Sequence, residues 1–142
     1  MSGSRGANLF DRAPFEAFIR TLPAATVVRQ WGDSSVGKVG GKIFAVLGEA
    51  AGGAASMSFK CSDLAFELLP ELEGIRPAPY LARAKWVAVR SGSPLTRAEL
   101  ADYVAEAHRL VAARLPRRVK AELGLEQPRT PPEKPSGPRR AR

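Results

Sequence analysis

The segment Gly74–Val87, GIRPAPYLARAKWV, joins a predicted helix to a predicted strand. It combines the turn Pro77–Pro79 with two aromatic residues and three cations, and it resembles no catalytic motif. The cations are Arg76, Arg83 and Lys85. We favour packing for Tyr80 and Trp86, because aromatic side chains supply large apolar area to a core. The alternative is that the cations contact phosphates while a ring stacks on a base.

Outward from this segment, the spacing of apolar residues predicts three helices. The first begins at Pro14 and ends before Pro23, and one stripe recurs at helical spacing: Phe15, Phe18, Ile19 and Leu22. The last spans residues 97–115, because Thr96 and Glu99 have the spacing of a capping box. The middle helix follows Ser62 and carries its apolar residues on one side: Leu64, Ala65, Leu68, Leu69 and Leu72.

Strands are predicted at Ala24–Trp31, at Lys85–Arg90 and on both sides of Gly40-Gly41, a pair that accepts the positive φ of a tight hairpin. Residues 56–61 alternate apolar and polar side chains, which indicates a half-buried strand. The expected order is helix, three strands, helix, one or two strands, helix. This order favours a single α+β domain in which helices pack on an antiparallel meander sheet.

The positive charge of the chain is concentrated near its C-terminus. The net charge is +8, of which residues 1–108 contribute +1 and residues 109–142 contribute +7. Such asymmetry is typical of a surface that faces a polyanion, although a solubilising tail has the same composition. We assign residues 1–9 to an N-terminal arm, 10–124 to the domain and 125–142 to a basic, Pro-rich tail that we expect to be disordered.

Two patterns suggest chemistry but lack the required context. Gly32–Lys38 has the spacing G-x-x-x-x-G-K, but Val39 stands where a phosphate-binding loop needs Ser or Thr, and a hairpin follows instead of a helix. Cys61 and His108 are the only thiol and imidazole. Both fall on predicted packing stripes, so we interpret them as structural. We expect no catalytic residue, no cofactor and no metal.

Further expectations come from composition. The N-terminus has no apolar core of a secretory signal, and a single cysteine forms no internal disulfide. The apolar runs are shorter than the roughly 20 residues that span a bilayer. We therefore expect a cytoplasmic monomer that does not contact membranes.

Several segments resemble the MmcQ/YjbR-like family, small bacterial proteins usually labelled DNA-binding. They are Trp31, Val39–Ala45, Ser58–Ser62, Arg76-Pro77 with Lys85-Trp86, and Leu115-Pro116. The resemblance covers roughly residues 10–123 and implies the topology α-β(3)-α-β(2)-α, similar to type III secretion chaperones. The chain departs from the family at Ala107-His108, where a Ser-Tyr pair is frequent, and in its long basic tail.

Our sequence-based hypothesis is a non-enzymatic protein that binds DNA or RNA weakly, with little sequence preference, through phosphate contacts. The candidate residues are Lys38, Lys42, Arg76, Arg83, Lys85, Arg114, Arg117, Arg118 and Lys120. The alternative is a chaperone-like module whose exposed apolar edges capture a peptide or a second subunit.

Overall fold

Six antiparallel strands form a single sheet in the computed structural model, which describes residues 9–30, 32–49, 55–78 and 82–125. The strands are β1 (Ala25–Gln30), β2 (Ser34–Val39), β3 (Lys42–Glu49), β4 (Ala55–Lys60), β5 (Ile75–Pro77) and β6 (Trp86–Arg90). Their order across the sheet is β1-β2-β3-β4-β6-β5. The predicted α+β class with an antiparallel sheet is confirmed.

The helices are α1 (Arg12–Arg20), α2 (Asp63–Leu68), α3 (Arg97–Ala113) and α4 (Arg117–Glu122), with 3-10 turns at Leu69–Glu71 and Ala82–Ala84. The capping box that starts α3 is confirmed. Glu99 N donates to Thr96 Oγ1 at 3.1 Å, and Thr96 N donates to Glu99 Oε1 at 2.9 Å.

Four strands precede α2, one more than the expected order. The additional strand is β4, which pairs with β3 from Ala45↔Phe59 to Glu49↔Ala55 and so continues the meander. The short helix α4 was not predicted as a separate element. Pro116 breaks the helical hydrogen bonding after α3 and stands at the N-cap of α4, where a missing N–H is tolerated.

The main core lies between the sheet and helices α1 and α3. Phe15 of α1, Phe44 of β3 and Phe59 of β4 are fully buried in it. The pairing of β2 with β3 shifts register between Gly37 and Lys38. Such a bulge adds one residue to β3, so that the consecutive residues Phe44 and Ala45 are both completely buried. A smaller cluster around Trp86 packs on the other face of the sheet.

The five apolar residues that the sequence places on one side of the middle helix are covered unequally in the structure. Ala65, Phe66 and Leu69 pack against the core, whereas three leucines point to solvent: Leu64, Leu68 and Leu72. The helix is only six residues long, so its tertiary position, and not its apolar content alone, decides which side is covered.

A buried carboxylate ties α1 to the first two strands. Glu16 is 8% exposed, and its Oε2 accepts hydrogen bonds from Ser35 Oγ at 2.6 Å and Arg29 Nε at 3.2 Å. The Ser35 hydroxyl holds the pKa of Glu16 below its ordinary value of 4.5; burial opposes this shift, and Arg29 adds to it. Because the folded-state pKa is lowered, this stabilisation is present above pH 4.5 and is lost as the pH falls through the folded-state pKa.

We expect Ser35→Ala to lower the free energy of unfolding at neutral pH by about 1–3 kcal/mol, because a buried carboxylate oxygen loses its closest donor. When the pH is lowered, the free energy of unfolding should decrease less in the variant than in the parent. Urea denaturation between neutral and acidic pH measures both effects. Ser91→Ala, at an exposed turn, is the control and should be nearly neutral. Equal stability of the two variants would contradict the assignment.

Candidate nucleic-acid interface

The register of the sheet gathers cations at one of its ends. The β2–β3 turn, with Lys38 and Lys42 on its two sides, lies at this end. So do the last residue of β4 and the first residue of β6, which pair as Lys60↔Trp86. Antiparallel pairing thus places residues that are far apart in sequence along the same edge.

Helix α3 also ends there. Gly40, in the β2–β3 turn, has a φ of +59°, and a Cβ built on it would lie 2.6 Å from Leu115 Cδ1. The turn therefore packs directly against the residue that follows Arg114. Since α3 has 17 residues, its first turn lies about 25 Å away, at the opposite end of the sheet.

Lys60 links the strands to this helix end. Its Nζ donates to Ala84 O at 2.6 Å, beside the two candidate cations Arg83 and Lys85. Partial burial lowers the pKa of Lys60, and the neighbouring positive charge of Arg114 lowers it further. Both causes disfavour the charged amine, so an anion placed here would relieve repulsion between like charges.

Lys85 occupies a constrained position. Its φ is +66°, a conformation that side-chain-bearing residues rarely adopt, and its carbonyl oxygen accepts from Cys61 N at 2.8 Å. Its Nζ lies 5.1 Å from the centre of the Phe66 ring, within the range of a cation–π contact. The ammonium group is thereby held beside α2.

Helix α4 contributes the remaining candidates. Arg117 and Arg118 are exposed, and Lys120 Nζ donates to Ala113 O at 3.2 Å, which satisfies a carbonyl at the end of α3. We call the resulting surface the cationic end. Its members are Lys38, Lys42, Lys60, Arg83, Lys85, Arg114, Arg117, Arg118 and Lys120.

The opposite end of the sheet has mixed charge. It carries Asp33 in the β1–β2 turn and Glu49 at the end of β3. Asp33 Oδ2 accepts from Arg12 Nη2 at 2.7 Å, so that this arginine is paired. Arg90, the last residue of β6, and Arg97, the first residue of α3, also lie at this end.

Eight of the nine predicted binding residues thus lie at the cationic end, and Arg76 does not. It pairs with Ala88 on the edge strand β5 and is exposed. Trp86 is 6% exposed and packs against the apolar residues around it, as the packing interpretation predicts. Trp31, Pro79 and Tyr80 lie outside the described residues, as do residues 126–142 of the basic tail.

Sequence reasoning missed Lys60. The alternation of residues 56–61 marked it as a solvent-facing strand position, but its proximity to Arg114 depends on the pairing of β4 and the direction of α3. A cation at the last position of a half-buried strand was the only available signal.

The segment Gly32–Lys38 forms a turn followed by strand β2. Residues from Ser34 onward pair with β1 and β3, so their backbone amides belong to the sheet and do not surround a phosphate. The segment has the geometry of a β-hairpin arm, in agreement with our sequence interpretation.

The thiol and the imidazole both have structural partners. Cys61 Sγ lies 3.4 Å from Lys85 O, and burial raises the pKa of the thiol to about 11. His108 Nε2 donates to Pro23 O at 2.8 Å, while its ring meets that of Phe44 edge-on, with centres 5.2 Å apart. Among the described residues, no three His, Cys, Asp or Glu side chains are placed to hold a metal ion.

We expect Cys61 to react slowly with iodoacetamide in the native protein, because the thiolate is the reactive form and a thiol with a pKa of about 11 supplies little of it at neutral pH. Addition of urea should raise the rate by orders of magnitude as the chain unfolds. Mass spectrometry measures the modification over time. A native rate close to that of free cysteine would contradict the structural assignment.

The fold and this surface define a class: a small α+β domain with a six-stranded antiparallel sheet that gathers cations at one end. The YjbR family model matches residues 20–110, which is more than half of the chain. The chain belongs to the YjbR family, and the resemblance found in the sequence is confirmed. Comparison with curated proteins gives no match.

Solved structures share the fold. The crystal structure of a Deinococcus radiodurans protein with a DUF419 domain is 20% identical and has a TM-score of 0.69, with 81% of this chain and 88% of that chain covered. A crystal structure of a Pseudomonas syringae protein is 18% identical and has a TM-score of 0.60, with 70% and 97% covered. At this identity the likeness concerns the fold alone. Within the described ranges, no helix is long and apolar enough to cross a membrane.

Proposed function

We propose that this YjbR-family chain is a non-enzymatic protein that binds nucleic acid through phosphate contacts at the cationic end. One observation carries the proposal: cations from four separate segments of the chain meet at one end of the sheet. A linear polyanion has closely spaced phosphates, so such a cluster can neutralise several of them at once and release their counterions.

The spatial distribution of charge strengthens this argument. Residues 1–108 carry a net charge of only +1, which by itself predicts weak attraction to a polyanion. In the folded chain, however, five of their cations lie at the cationic end: Lys38, Lys42, Lys60, Arg83 and Lys85. An approaching phosphate responds to the positive charge within a Debye length of about 10 Å, and not to the net charge of residues 1–108.

The contacts that this surface offers favour binding without sequence preference. The aromatic side chains of the described residues are buried or half-buried, which leaves little ring surface on which a base could stack. Lysine and arginine side chains that contact phosphates fix position but do not distinguish bases. We therefore infer affinity that is weak, sensitive to salt and similar for different sequences.

The test is an electrophoretic shift of the full chain with duplex DNA, single-stranded DNA and RNA, each in two unrelated sequences and at two salt concentrations. The proposal expects a shift at low salt that weakens at high salt, with little difference between sequences of one type. Absence of a shift at low salt with all three polymers would overturn it, and the protein-interaction alternative would then take its place.

A further inference from the structure

Three leucines on one side of α2 and the adjoining turn face solvent, and we call them the leucine strip. Leu64 is 65% exposed, Leu68 53% and Leu72 38%. Leu64 and Leu68 are four residues apart on α2, so their side chains are neighbours on its surface, and Leu72 follows directly after the 3-10 turn. Single exposed leucines are ordinary, whereas consecutive exposed leucines offer an apolar contact that a partner can cover.

Carboxylates alternate with these leucines along the chain. Asp63, Glu67, Glu71 and Glu73 are all exposed, and residues 61–75 contain no lysine or arginine. The segment that carries the strip therefore combines exposed apolar side chains with negative charge. This combination complements a surface that offers cations together with an exposed apolar side chain.

The same chain carries such a surface next to the strip. Asp63 and Arg114 both act electrostatically on Lys60, and Phe66 of α2 lies under the Lys85 ammonium group. Leu123, which follows α4, is 37% exposed among the cations of that helix. An acidic apolar surface and a basic surface are thus neighbours on one molecule.

We propose that two copies of this chain associate through these surfaces, the leucine strip of each copy packing against the cationic end of the other. A twofold axis can place the leucine strip of one copy against the cationic end of the other. The same rotation creates the second, identical contact, so both surfaces of each copy are covered. Burial of the leucines supplies the apolar contact, and the charges set the orientation. Because this contact covers the cationic end, association of two copies and binding to nucleic acid exclude one another; the monomer expected from the sequence is the contrary outcome.

The first experiment measures the mass of the full chain by sedimentation equilibrium over a range of concentrations at low salt, without nucleic acid. We expect the mass to rise from 15.2 kDa towards twice that value with increasing concentration. Leu64→Ser/Leu68→Ser should weaken the association by about tenfold or more, since the interface then loses the apolar area that the two leucines bury. A mass that stays at 15.2 kDa at every concentration would overturn the proposal.

The second experiment reverses charges on one of the two surfaces to test whether the partner is a second copy of the chain. Glu67→Arg/Glu71→Arg should remain monomeric, and so should Arg114→Glu/Arg118→Glu, because each variant places like charges in both contacts of its own dimer. An equimolar mixture of the two variants should associate again, because both contacts then join opposite charges.

A matched control is Glu49→Arg/Asp102→Arg, which makes the same charge change at exposed positions outside the strip. It should associate like the parent. Failure of the mixture to associate, or an equal loss in the control, would overturn the proposed contact. Because nucleic acid is absent throughout, these outcomes are independent of the electrophoretic test.

Discussion

We expect Lys42→Gln/Arg114→Gln to flatten the dependence of log affinity for duplex DNA on log salt by about two units, since each phosphate contact adds about 0.9 to this slope. Affinity at low salt should fall for all sequences alike. The two cations belong to different segments, but the contact between Gly40 and Leu115 places both at the cationic end. Fluorescence anisotropy at several salt concentrations measures the slope.

The control Arg90→Gln/Arg97→Gln removes the same number of exposed cations at the opposite end of the sheet. Net charge is equal in the two variants, so long-range attraction changes equally and only the local contacts differ. The control should retain nearly the parent slope. Equal slopes in both variants would show that net charge, and not the cationic end, governs binding.

The tail can be tested separately. Deletion of residues 126–142 removes five cations and two carboxylates, a net charge of +3. If these cations contact phosphates, the slope should flatten by a further one to three units in the background of the double variant. An unchanged slope would confine the phosphate contacts to residues 1–125.

The second large effect concerns the turn that joins the sheet to α3. Gly40→Ala should lower the free energy of unfolding by about 3 kcal/mol, of which about 1 kcal/mol reflects the positive φ and the rest the clash with Leu115. Leu115 is only 5% exposed, so its side chain has little room to move away from the added Cβ.

The adjacent glycine provides the control. Gly41 has a φ of +81°, and a Cβ built on it would have no neighbour within 4 Å. Gly41→Ala should therefore show the backbone effect alone, about 1 kcal/mol. Urea denaturation with an unchanged m-value gives both differences. Equal destabilisation of the two variants would mean that the contact with Leu115 contributes nothing.

Local signals predicted the parts of the fold that local interactions determine. The Gly40-Gly41 hairpin and the Thr96–Glu99 capping box were found because a positive φ and a side-chain cap each involve neighbouring residues. The sequence did not indicate which leucines of the middle helix are exposed, because leucines are equally apolar and only packing against the core distinguishes Leu64 from Leu69.

The candidate residues were predicted one at a time, without their arrangement. Basic residues can be read from the sequence, so eight members of the cationic end were found. Their convergence depends on strand register and on the end of α3, which involve contacts between distant residues. The same dependence explains why Lys60 was missed and why Arg76 lies elsewhere.

Because the two ends of the sheet differ in charge, they determine the orientation in which the protein would bind a duplex. With its cations at one end and α3 extending about 25 Å away from them, the protein would stand upright on the phosphate backbone. Its footprint would then follow the width of the six-stranded sheet, about 24 Å at 4.8 Å per strand spacing, which corresponds to about seven base pairs at 3.4 Å each. Upright copies could therefore coat a duplex densely while their opposite ends remain in solvent.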